Sequence, residues 1–250
     1  MARLGKTLLS LEGVGVAFRP GKLSLRKREL FWVLKDVTFD LLHGETLGVI
    51  GRNAAGKSTL LRLMAGILTQ DCGTLVNYGH TAALLSLQTG FVPYLTGRQN
   101  AILSGILLGL RRRDVQARMD SIIDFSELGA FIDEPLSNYS SGMRARLGFA
   151  VAYQAEPDIL LIDETLGVGD EAFRAKSTEA MHARIRSDKT IVLVSHSAET
   201  IRTLCDRVVW LDEGMTRAVG PVAEVMAAYH AELAHRQSER AVQIRGGTVL

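Results

Sequence analysis

The stretch from residue 44 to residue 60 constrains this chain more than any other part of it. A short apolar strand runs into Gly51, the segment from Gly51 to Ser58 fits the pattern G-x-x-x-x-G-K-[S/T], and an amphipathic helix follows at once. This order of strand, loop and helix is the context that a phosphate-binding loop requires. Glycines let successive backbone N–H groups point at one phosphate, and the helix N-terminus adds a positive dipole end. The stretch therefore predicts a nucleotide site, in which Lys57 reaches the β- and γ-phosphates and Ser58 ligates Mg²⁺.

Composition and charge narrow the class of protein. The chain has 250 residues, 47% of them hydrophobic and 22% charged, so it is expected to fold as a globular protein. A formal net charge of +2 does not by itself indicate a nucleic-acid partner. The two cysteines, Cys72 and Cys205, lack metal-ligand spacing, which favours a reduced cytosolic setting. No apolar run approaches the roughly 18 residues of a membrane span, so a link to a membrane is expected to come through a partner.

Alternating strands and helical segments predict an α/β fold. Residues 91–150 are helical in pattern, which predicts an α-helical subdomain inserted into the core. Apolar strands return at residues 159–162, 190–194 and 208–211. This alternation implies a parallel sheet with its ligand at the carboxyl edge. We expect one domain over residues 1–235 and a polar tail over 236–250 that favours disorder, because the helical pattern fades after Leu233.

Local signals mark two further segments. Thr96 and Gln99 have capping-box spacing and predict the start of a helix that reaches about Leu110. The three arginines that follow suit a helix C-terminus, and Asp114 is the expected N-cap of the next helix. Residues 19–30 form a basic, turn-rich insertion, which is either a contact for anionic lipid or substrate or a solvated hairpin tip.

A pair of acids follows a buried apolar strand. Asp163 and Glu164 come directly after the run Ile159 to Ile162. In a protein with a phosphate loop, the first acid holds Mg²⁺ and the second is placed to polarise the attacking water. Because side chains alternate along an extended chain, the two carboxylates point in different directions and serve different roles.

A second helix start carries small hydroxyl residues. The segment from Asn138 to Leu147 contains Ser140 and Ser141 immediately before a helical pattern. Free N–H groups and serine hydroxyls at a helix start form a phosphate site, although an ordinary serine N-cap has the same pattern. One nucleotide does not need two such sites in one chain. Two chains arranged head to tail do need them, because each offers its serine helix to the nucleotide of the other.

Taken together, the motifs resemble those of ABC-transporter nucleotide-binding domains. The phosphate loop, the serine helix, the acid pair and the strand-end His196 occur in the order and spacing of that family, and the resemblance covers about residues 8–230. It implies a P-loop NTPase fold with a mainly parallel core sheet, an antiparallel β subdomain and the inserted helical subdomain. It also implies an ATP-hydrolysing homodimer that holds two Mg²⁺-ATP between its subunits.

The resemblance also assigns roles to individual residues. Glu164, His196 and Lys57 match the catalytic residues, and Ser58, Asp163 and Gln88 match the Mg²⁺ ligands. The nucleotide contacts match Gly51, Asn53, Ala54, Ala55, Gly56, Lys57, Ser58 and Thr59, together with Ser140, Ser141, Gly142, Met143 and Asp170. Asp170 matches the loop that contacts the partner subunit. Phe18 matches the aromatic under adenine, with Phe31 and Trp32 as rivals and a plain core aromatic as the alternative.

Flanking patterns narrow the subfamily. The signature reads Tyr-Ser-Ser-Gly-Met, and residues 31–37, 90–100 and 166–173 look like those of the ATPases of bacterial surface-polysaccharide exporters. Such ATPases export lipid-linked O-antigen, capsule or teichoic acid through a separate polytopic membrane subunit. The resemblance implies a peripheral protein on the cytoplasmic face of the inner membrane, without a nucleic-acid partner. The alternatives are the ATPase of an importer and a soluble ABC protein outside transport.

Three features depart from the family pattern or extend it. Ala54 replaces the usual middle glycine of the loop, and its methyl group is expected to be tolerated if its φ is negative. Gln88 lies about one position away from the usual glutamine. The short chain end favours a system without an appended carbohydrate-binding domain. The membrane subunit is expected to dock near Gln88 to Tyr94 and the helical insert, where a docking helix would bury Phe91 and Tyr94.

Overall fold

The computed structural model describes residues 5–18, 30–85, 90–163, 170–185 and 189–246. Gln88, Glu164 and the basic insertion before Leu30 lie outside the described residues. The strands are β1 (Thr7–Phe18), β2 (Phe31–Leu42), β3 (Thr46–Ile50), β4 (Cys72–Asn77), β5 (Ala82–Leu85), β6 (Ile159–Asp163), β7 (Thr190–Val194), β8 (Arg207–Asp212) and β9 (Met215–Pro221). The α-helices are α1 (Lys57–Met64), α2 (Gly97–Leu107), α3 (Arg112–Ala117), α4 (Met119–Ser126), α5 (Ser141–Gln154), α6 (Glu171–Ile185), α7 (Ala198–Leu204) and α8 (Val222–Gly246).

One sheet joins these strands in the order β4-β1-β2-β9-β8-β3-β7-β6-β5. From β8 to β5 the neighbouring strands are parallel, whereas β4, β1 and β2 pair antiparallel at the other end. The central strands β3 and β7 are buried at every residue, which is why they read as continuous apolar runs. The predicted fold class, a mainly parallel core sheet with an antiparallel β subdomain and an inserted helical subdomain, is confirmed.

Helices α2 to α5 form the inserted part, together with two 3₁₀ helices at Gly129–Asp133 and Leu136–Asn138. They enclose a hydrophobic cluster of their own around Ile122, Leu136 and Leu147. The predicted capping box is confirmed, since Thr96 Oγ1 accepts from the Gln99 N–H at 3.2 Å and Gln99 Oε1 accepts from the Thr96 N–H at 3.0 Å.

Two predictions about helix ends are wrong at this point. Helix α2 ends at Leu107, because Gly109 takes a left-handed φ of +90° and breaks the helix. The three arginines therefore lie at the start of α3 and not at the end of α2. The N-cap of α3 is Arg111, where the sequence predicts Asp114.

The C-terminal helix continues further than its sequence pattern indicates. Helix α8 extends to Gly246, whereas the sequence pattern predicts that the helix fades after Leu233. The division into a domain over residues 1–235 and a tail over 236–250 stays a prediction. Arg236 ties the helix to the sheet beyond Leu233, because it donates hydrogen bonds to Glu232 at 2.5 Å and to Asp212 of β8 at 2.7 Å. Within the described residues, no helix combines the length and hydropathy needed to cross a membrane.

Candidate nucleotide-binding site

The loop between β3 and α1 is shaped by two glycines. Gly51 has a φ of +154° and Gly56 a φ of +101°, values that favour glycine. A Cβ atom at Gly51 would lie 2.1 Å from the carbonyl oxygen of Leu211, and one at Gly56 would lie 2.6 Å from Leu34 Cδ2. Backbone conformation and lack of space therefore both require glycine, and the loop is tightly packed against β2 and β8.

Ala54 stands in the same loop with a φ of +64°. From the sequence, the methyl group is expected to be tolerated if φ is negative. Ala54 does not meet this condition. A left-handed conformation costs an L-residue roughly 1–2 kcal/mol, because Cβ approaches the following carbonyl oxygen. Ala54 is exposed, so the strain is local to the backbone and no neighbouring side chain has to move.

Lys57 lies beneath the loop and is only 7% exposed. Its Nζ donates hydrogen bonds to the carbonyl oxygens of Gly51 at 2.8 Å and Arg52 at 2.9 Å. The loop thus wraps around a buried ammonium group at the N-terminus of α1. A positive charge in a curled backbone at a helix start suits a polyphosphate.

A cavity of about 540 Å³ opens over this loop, within the size range of small-ligand sites. Its lining contains loop residues and residues from four other strand ends or turns: Phe31, Trp32, Val33, Lys35, Asn53, Ala54, Gly56, Lys57, Ser58, Thr59, Asp163, Val194, His196 and Glu213. The structure therefore brings Lys57, Ser58, Asp163 and His196 to one cavity, as the sequence predicts.

The positions of Asp163 and His196 follow from the register of the parallel strands. Asp163 ends β6 and pairs with Val194, which ends β7, and His196 follows two residues later. Because the carboxyl ends of parallel strands meet at one edge of the sheet, both side chains reach the phosphate loop that follows β3. Glu164 lies outside the described residues, so its position stays a prediction.

The aromatic residue that lines the cavity is not Phe18, which was assigned from the sequence to the adenine contact. Phe31 is 68% exposed and lines the cavity, whereas Phe18 pairs with it across the β1–β2 ladder. Within the described residues the lining does not include Phe18. Trp32 lines the cavity, but its ring packs on β1, where a Cβ atom at Gly15 would lie 2.8 Å from Trp32 Cζ3. The geometry therefore favours Phe31, one of the two rivals, as the aromatic that faces a bound base.

The serine helix stands apart from this cavity. Ser140 caps α5, since its Oγ accepts from the Met143 N–H at 3.1 Å, and Ser141 is exposed. The described part of the cavity lining includes none of the residues from Ser140 to Gly142. Ser140 thus caps α5, and the exposed start of this helix does not line the described part of the cavity in its own chain.

Asp170 is engaged within its own chain. It caps α6 by accepting from the Phe173 N–H at 3.0 Å, and it forms a close ion pair with Arg146 of α5. These two contacts, the backbone hydrogen bond first, lower the pKa of Asp170. Arg146 also binds Glu127 at 3.2 Å.

Three functional candidates were missed in the sequence. Lys35 and Glu213 line the cavity, and Arg146 joins the serine helix to the loop after the acid pair. The turn residues Glu213-Gly214 follow an apolar strand, which is a usable signal for the carboxyl edge of the sheet. Lys35 and Arg146 have no comparable local signal.

The fold and the site define a P-loop nucleotide-binding protein of the α/β class. The family model described as "ABC transporter" matches residues 34–167, more than half of the chain. The chain belongs to the ABC transporter family and is an ATP-binding ATPase of the type that this family contains.

Named relatives extend this comparison. The chain is 48% identical over 221 residues to the O-antigen export system ATP-binding protein RfbB of Myxococcus xanthus, with 88% of this chain and 51% of that protein covered. It is 44% identical to the protein of the same name from Klebsiella pneumoniae, with 88% and 89% covered. It is 45% identical to the teichoic acids export ATP-binding protein TagH of Enterococcus faecalis, with 82% and 46% covered. The chain thus spans about half of two of these relatives and most of the third.

Solved structures agree on the fold. A dimeric post-hydrolysis state of the ATP-binding cassette MJ0796 bound to ADP and Pi aligns with a TM-score of 0.68 at 20% identity, covering 86% of this chain and 98% of that one. The ATP-binding subunit of an ABC transporter aligns with a TM-score of 0.69 at 23% identity, covering 90% and 94%. At these identities the likeness shows the fold alone.

Proposed function

We propose that this chain is the ATP-hydrolysing subunit of an exporter that moves a lipid-linked surface polysaccharide of the O-antigen, capsule or teichoic acid type across the cytoplasmic membrane. The observation that carries the proposal is the similarity to the Klebsiella export protein, which this chain matches over 89% of its length. The relationship to the teichoic acid export protein supports the same class of cargo. Importers share the fold, and the flanking sequence patterns favour export over them.

The residues at the phosphate loop suit Mg²⁺ as well as ATP. Ser58 and Asp163 line the same cavity and supply a hydroxyl and a carboxylate, the hard oxygen ligands that Mg²⁺ prefers. Within the described residues, no group of three or more His, Cys, Asp or Glu side chains forms a metal site. Mg²⁺ usually takes one or two protein ligands together with substrate phosphates, so this small ligand set fits. Gln88 is a third proposed ligand, and it lies outside the described residues.

We propose distinct tasks for the residues around the reacting phosphate. Lys57 neutralises negative charge on the β- and γ-phosphates, and His196 contacts the γ-phosphate from the end of β7. Bound Mg²⁺ adds charge neutralisation at the same phosphates. Glu164, directly after β6, orients the water for in-line attack.

A second copy of the chain completes the proposed site. The start of α5 presents backbone N–H groups and the exposed Ser141, but it does not line the cavity of its own chain. In a head-to-tail homodimer each serine helix would face the ATP of the other subunit. The dimeric cassette of known structure supports this arrangement through the shared fold.

A polytopic membrane subunit is the proposed partner, and it holds this chain at the cytoplasmic face of the inner membrane. Tyr94 is 80% exposed in the loop before α2. A cavity of about 510 Å³ between the core and the helical insert is lined by apolar residues such as Ile67 and Leu107, and a Cβ atom at Gly90, four residues before Tyr94, would lie 2.2 Å from Leu107 Cδ1. We propose that a helix of the membrane subunit docks here. Phe91 is half-buried in the cluster of the insert, so Tyr94→Ala is the cleaner test of docking. Unchanged complex formation in that variant would count against this surface.

Affinity capture of the tagged chain from its native membranes, followed by mass spectrometry, tests the export function. A polytopic membrane subunit together with glycan-assembly enzymes is the expected result. A periplasmic binding protein in the captured complex would indicate import, and ribosomal partners alone would place the chain outside transport.

Enzyme kinetics test the site independently of the cargo. Glu164→Gln is expected to keep ATP binding and abolish turnover, because it retains the shape of the side chain and removes the charge that orients water. Lys57→Met is expected to weaken ATP binding itself. Normal hydrolysis by the Glu164→Gln variant would refute the role assigned to that carboxylate.

A further inference from the structure

Helix α8 packs against the base of the phosphate loop. Ile50, the last residue before Gly51, is 4% exposed and belongs to a hydrophobic cluster with Val225 and Met226 of α8. Tyr229, one turn further along the helix, stacks edge-on against Trp210 of β8 with ring centroids 5.6 Å apart. The C-terminal helix thus contacts β8 directly, at Trp210, the residue that pairs with Ile50 of β3 at the start of the loop.

An ion pair joins the same helix to the end of β8. Asp212 is 2% exposed, and both of its carboxylate oxygens accept hydrogen bonds from Arg236, at 2.7 Å and 3.5 Å. Glu232 holds Arg236 from the preceding helical turn at 2.5 Å. Arg217 of β9 is a second cation beside Asp212, at 3.7 Å. A buried carboxylate needs such partners, because an unpaired buried charge is strongly unfavourable.

The residues on either side of Asp212 touch the nucleotide site directly. The carbonyl of Leu211 packs on Gly51 so closely that a Cβ atom there would lie 2.1 Å from its oxygen. Glu213 lines the nucleotide cavity with a left-handed φ of +49°. The carbonyl oxygen of Gly214 accepts from the Lys35 N–H at 2.8 Å, and Lys35 lines the cavity too. The turn from Leu211 to Gly214 is therefore a wall of the site.

We propose that Arg236 is a positioning residue for nucleotide binding, acting through Asp212 on this turn and so on Gly51 and the cavity wall. Helix α8 then does more than close the core, because its docking and the shape of the nucleotide site depend on each other. The proposal rests on nucleotide binding at the phosphate loop and is independent of the exported cargo.

Point variants in the full chain test the first half of the proposal. Arg236→Gln is expected to weaken binding of Mg²⁺-ADP by about fivefold, the lower end of coupling between sites in proteins, and Arg236→Lys is expected to restore part of the loss. Glu232→Gln is the matched control, since it removes the negative charge beside Arg236 within the helix and leaves Asp212 paired. Isothermal titration calorimetry gives the dissociation constants, and thermal melting shows whether each variant is folded.

Hydrogen exchange in the wild-type chain tests the second half and needs no variant. Coupling between two sites is reciprocal, so Mg²⁺-ADP must slow amide exchange in residues 222–236 if α8 positions the site. The slowing should be smaller in Arg236→Gln at saturating nucleotide. A purely structural Arg236 would lower the melting temperature without this nucleotide dependence.

The outcomes distinguish failure of the Arg236 positioning role from failure of the proposed ATPase function. A wild-type chain that does not bind Mg²⁺-ADP would remove the proposed function itself. Wild-type binding with an unchanged affinity in folded Arg236→Gln, or with nucleotide-independent exchange in α8, would overturn the positioning role alone.

Discussion

Asn100 and the backbone of Val92 hold each other through a reciprocal pair of hydrogen bonds. Asn100 Oδ1 accepts from the Val92 N–H at 2.7 Å, and Nδ2 donates to the Val92 carbonyl oxygen at 3.0 Å. Nδ2 also donates to the carbonyl oxygens of Leu95 and Thr96, both at 3.0 Å. A fully buried side chain in the first turn of α2 thus fixes the loop that exposes Tyr94.

Replacing Asn100 with alanine is expected to destabilise the protein by about 2–4 kcal/mol, because several backbone groups of the loop lose their partner in a buried setting. Urea unfolding followed by circular dichroism measures the change. Gln99→Ala is the matched control on the exposed face of the same helical turn and should cost about 1 kcal/mol or less. An equal loss of unfolding free energy in both variants would contradict the larger contribution assigned to the Asn100 hydrogen bonds.

Ala54 offers a stabilising substitution inside the phosphate loop. Ala54→Gly is expected to raise the free energy of unfolding by about 1 kcal/mol, because glycine adopts the observed left-handed φ without the clash of a methyl group. Ala55→Gly, next in sequence, should act in the opposite direction, since Ala55 is buried and has no positive φ. Thermal melting without nucleotide compares the two variants, and destabilisation by Ala54→Gly would contradict the strain argument.

The aromatic that faces the base can be identified by ligand comparison. Phe31→Ala is expected to weaken ATP binding by about 1 kcal/mol, roughly fivefold, through loss of stacking. The same variant should bind inorganic tripolyphosphate as the wild type does, because that ligand has no base. Phe18→Ala is the control from the paired strand, and a larger loss for it than for Phe31→Ala would restore the assignment first made from sequence.

Cysteine chemistry reports on the packing behind the phosphate loop. Burial raises the pKa of the Cys205 thiol from its ordinary value of 9.0 to about 12, and the charge of Asp206 adds to the effect. The thiolate of Cys205 is therefore scarce at pH 8. Cys72, in contrast, is exposed to reagent. Cys205 is half-buried, so iodoacetamide at pH 8 is expected to label Cys72 much faster than Cys205 in the folded protein and both at similar rates after unfolding, as measured by peptide mass spectrometry. Equal labelling rates in the folded chain would contradict the burial.

The same shift has a consequence for stability at high pH. Because the folded-state pKa lies above the unfolded value, the unfolded chain loses this proton first as the pH rises. The contribution of Cys205 is therefore complete below pH 9 and is lost as the pH approaches about 12. Cys205→Ala should flatten the fall of the melting temperature in this alkaline range, relative to the wild type.

Much of the nucleotide site was predictable because its parts are local. The loop from Gly51 to Ser58 is set by glycine conformations and a helix start within one short segment, and the acid at Asp163 ends a recognisably apolar strand. The order of the strands then brings these segments to one edge of the sheet, a general property of parallel α/β folds. Helix ends were less predictable: Gly109 ends α2 early, and α8 continues past Leu233 to Arg236, which contacts a distant strand.

The sequence by itself determined the fold class and the phosphate loop with its lysine, serine and strand-end acid, because each depends on hydrophobic period or on backbone conformations within a few residues. Only the tertiary structure decided that Phe31 lines the cavity in place of Phe18, that Ala54 has a positive φ, and that Arg236 pairs with Asp212 beside the phosphate loop. The direction in which a side chain points and the partners of a long-range ion pair depend on how strands and helices pack across the whole domain. No local sequence pattern predicts that packing.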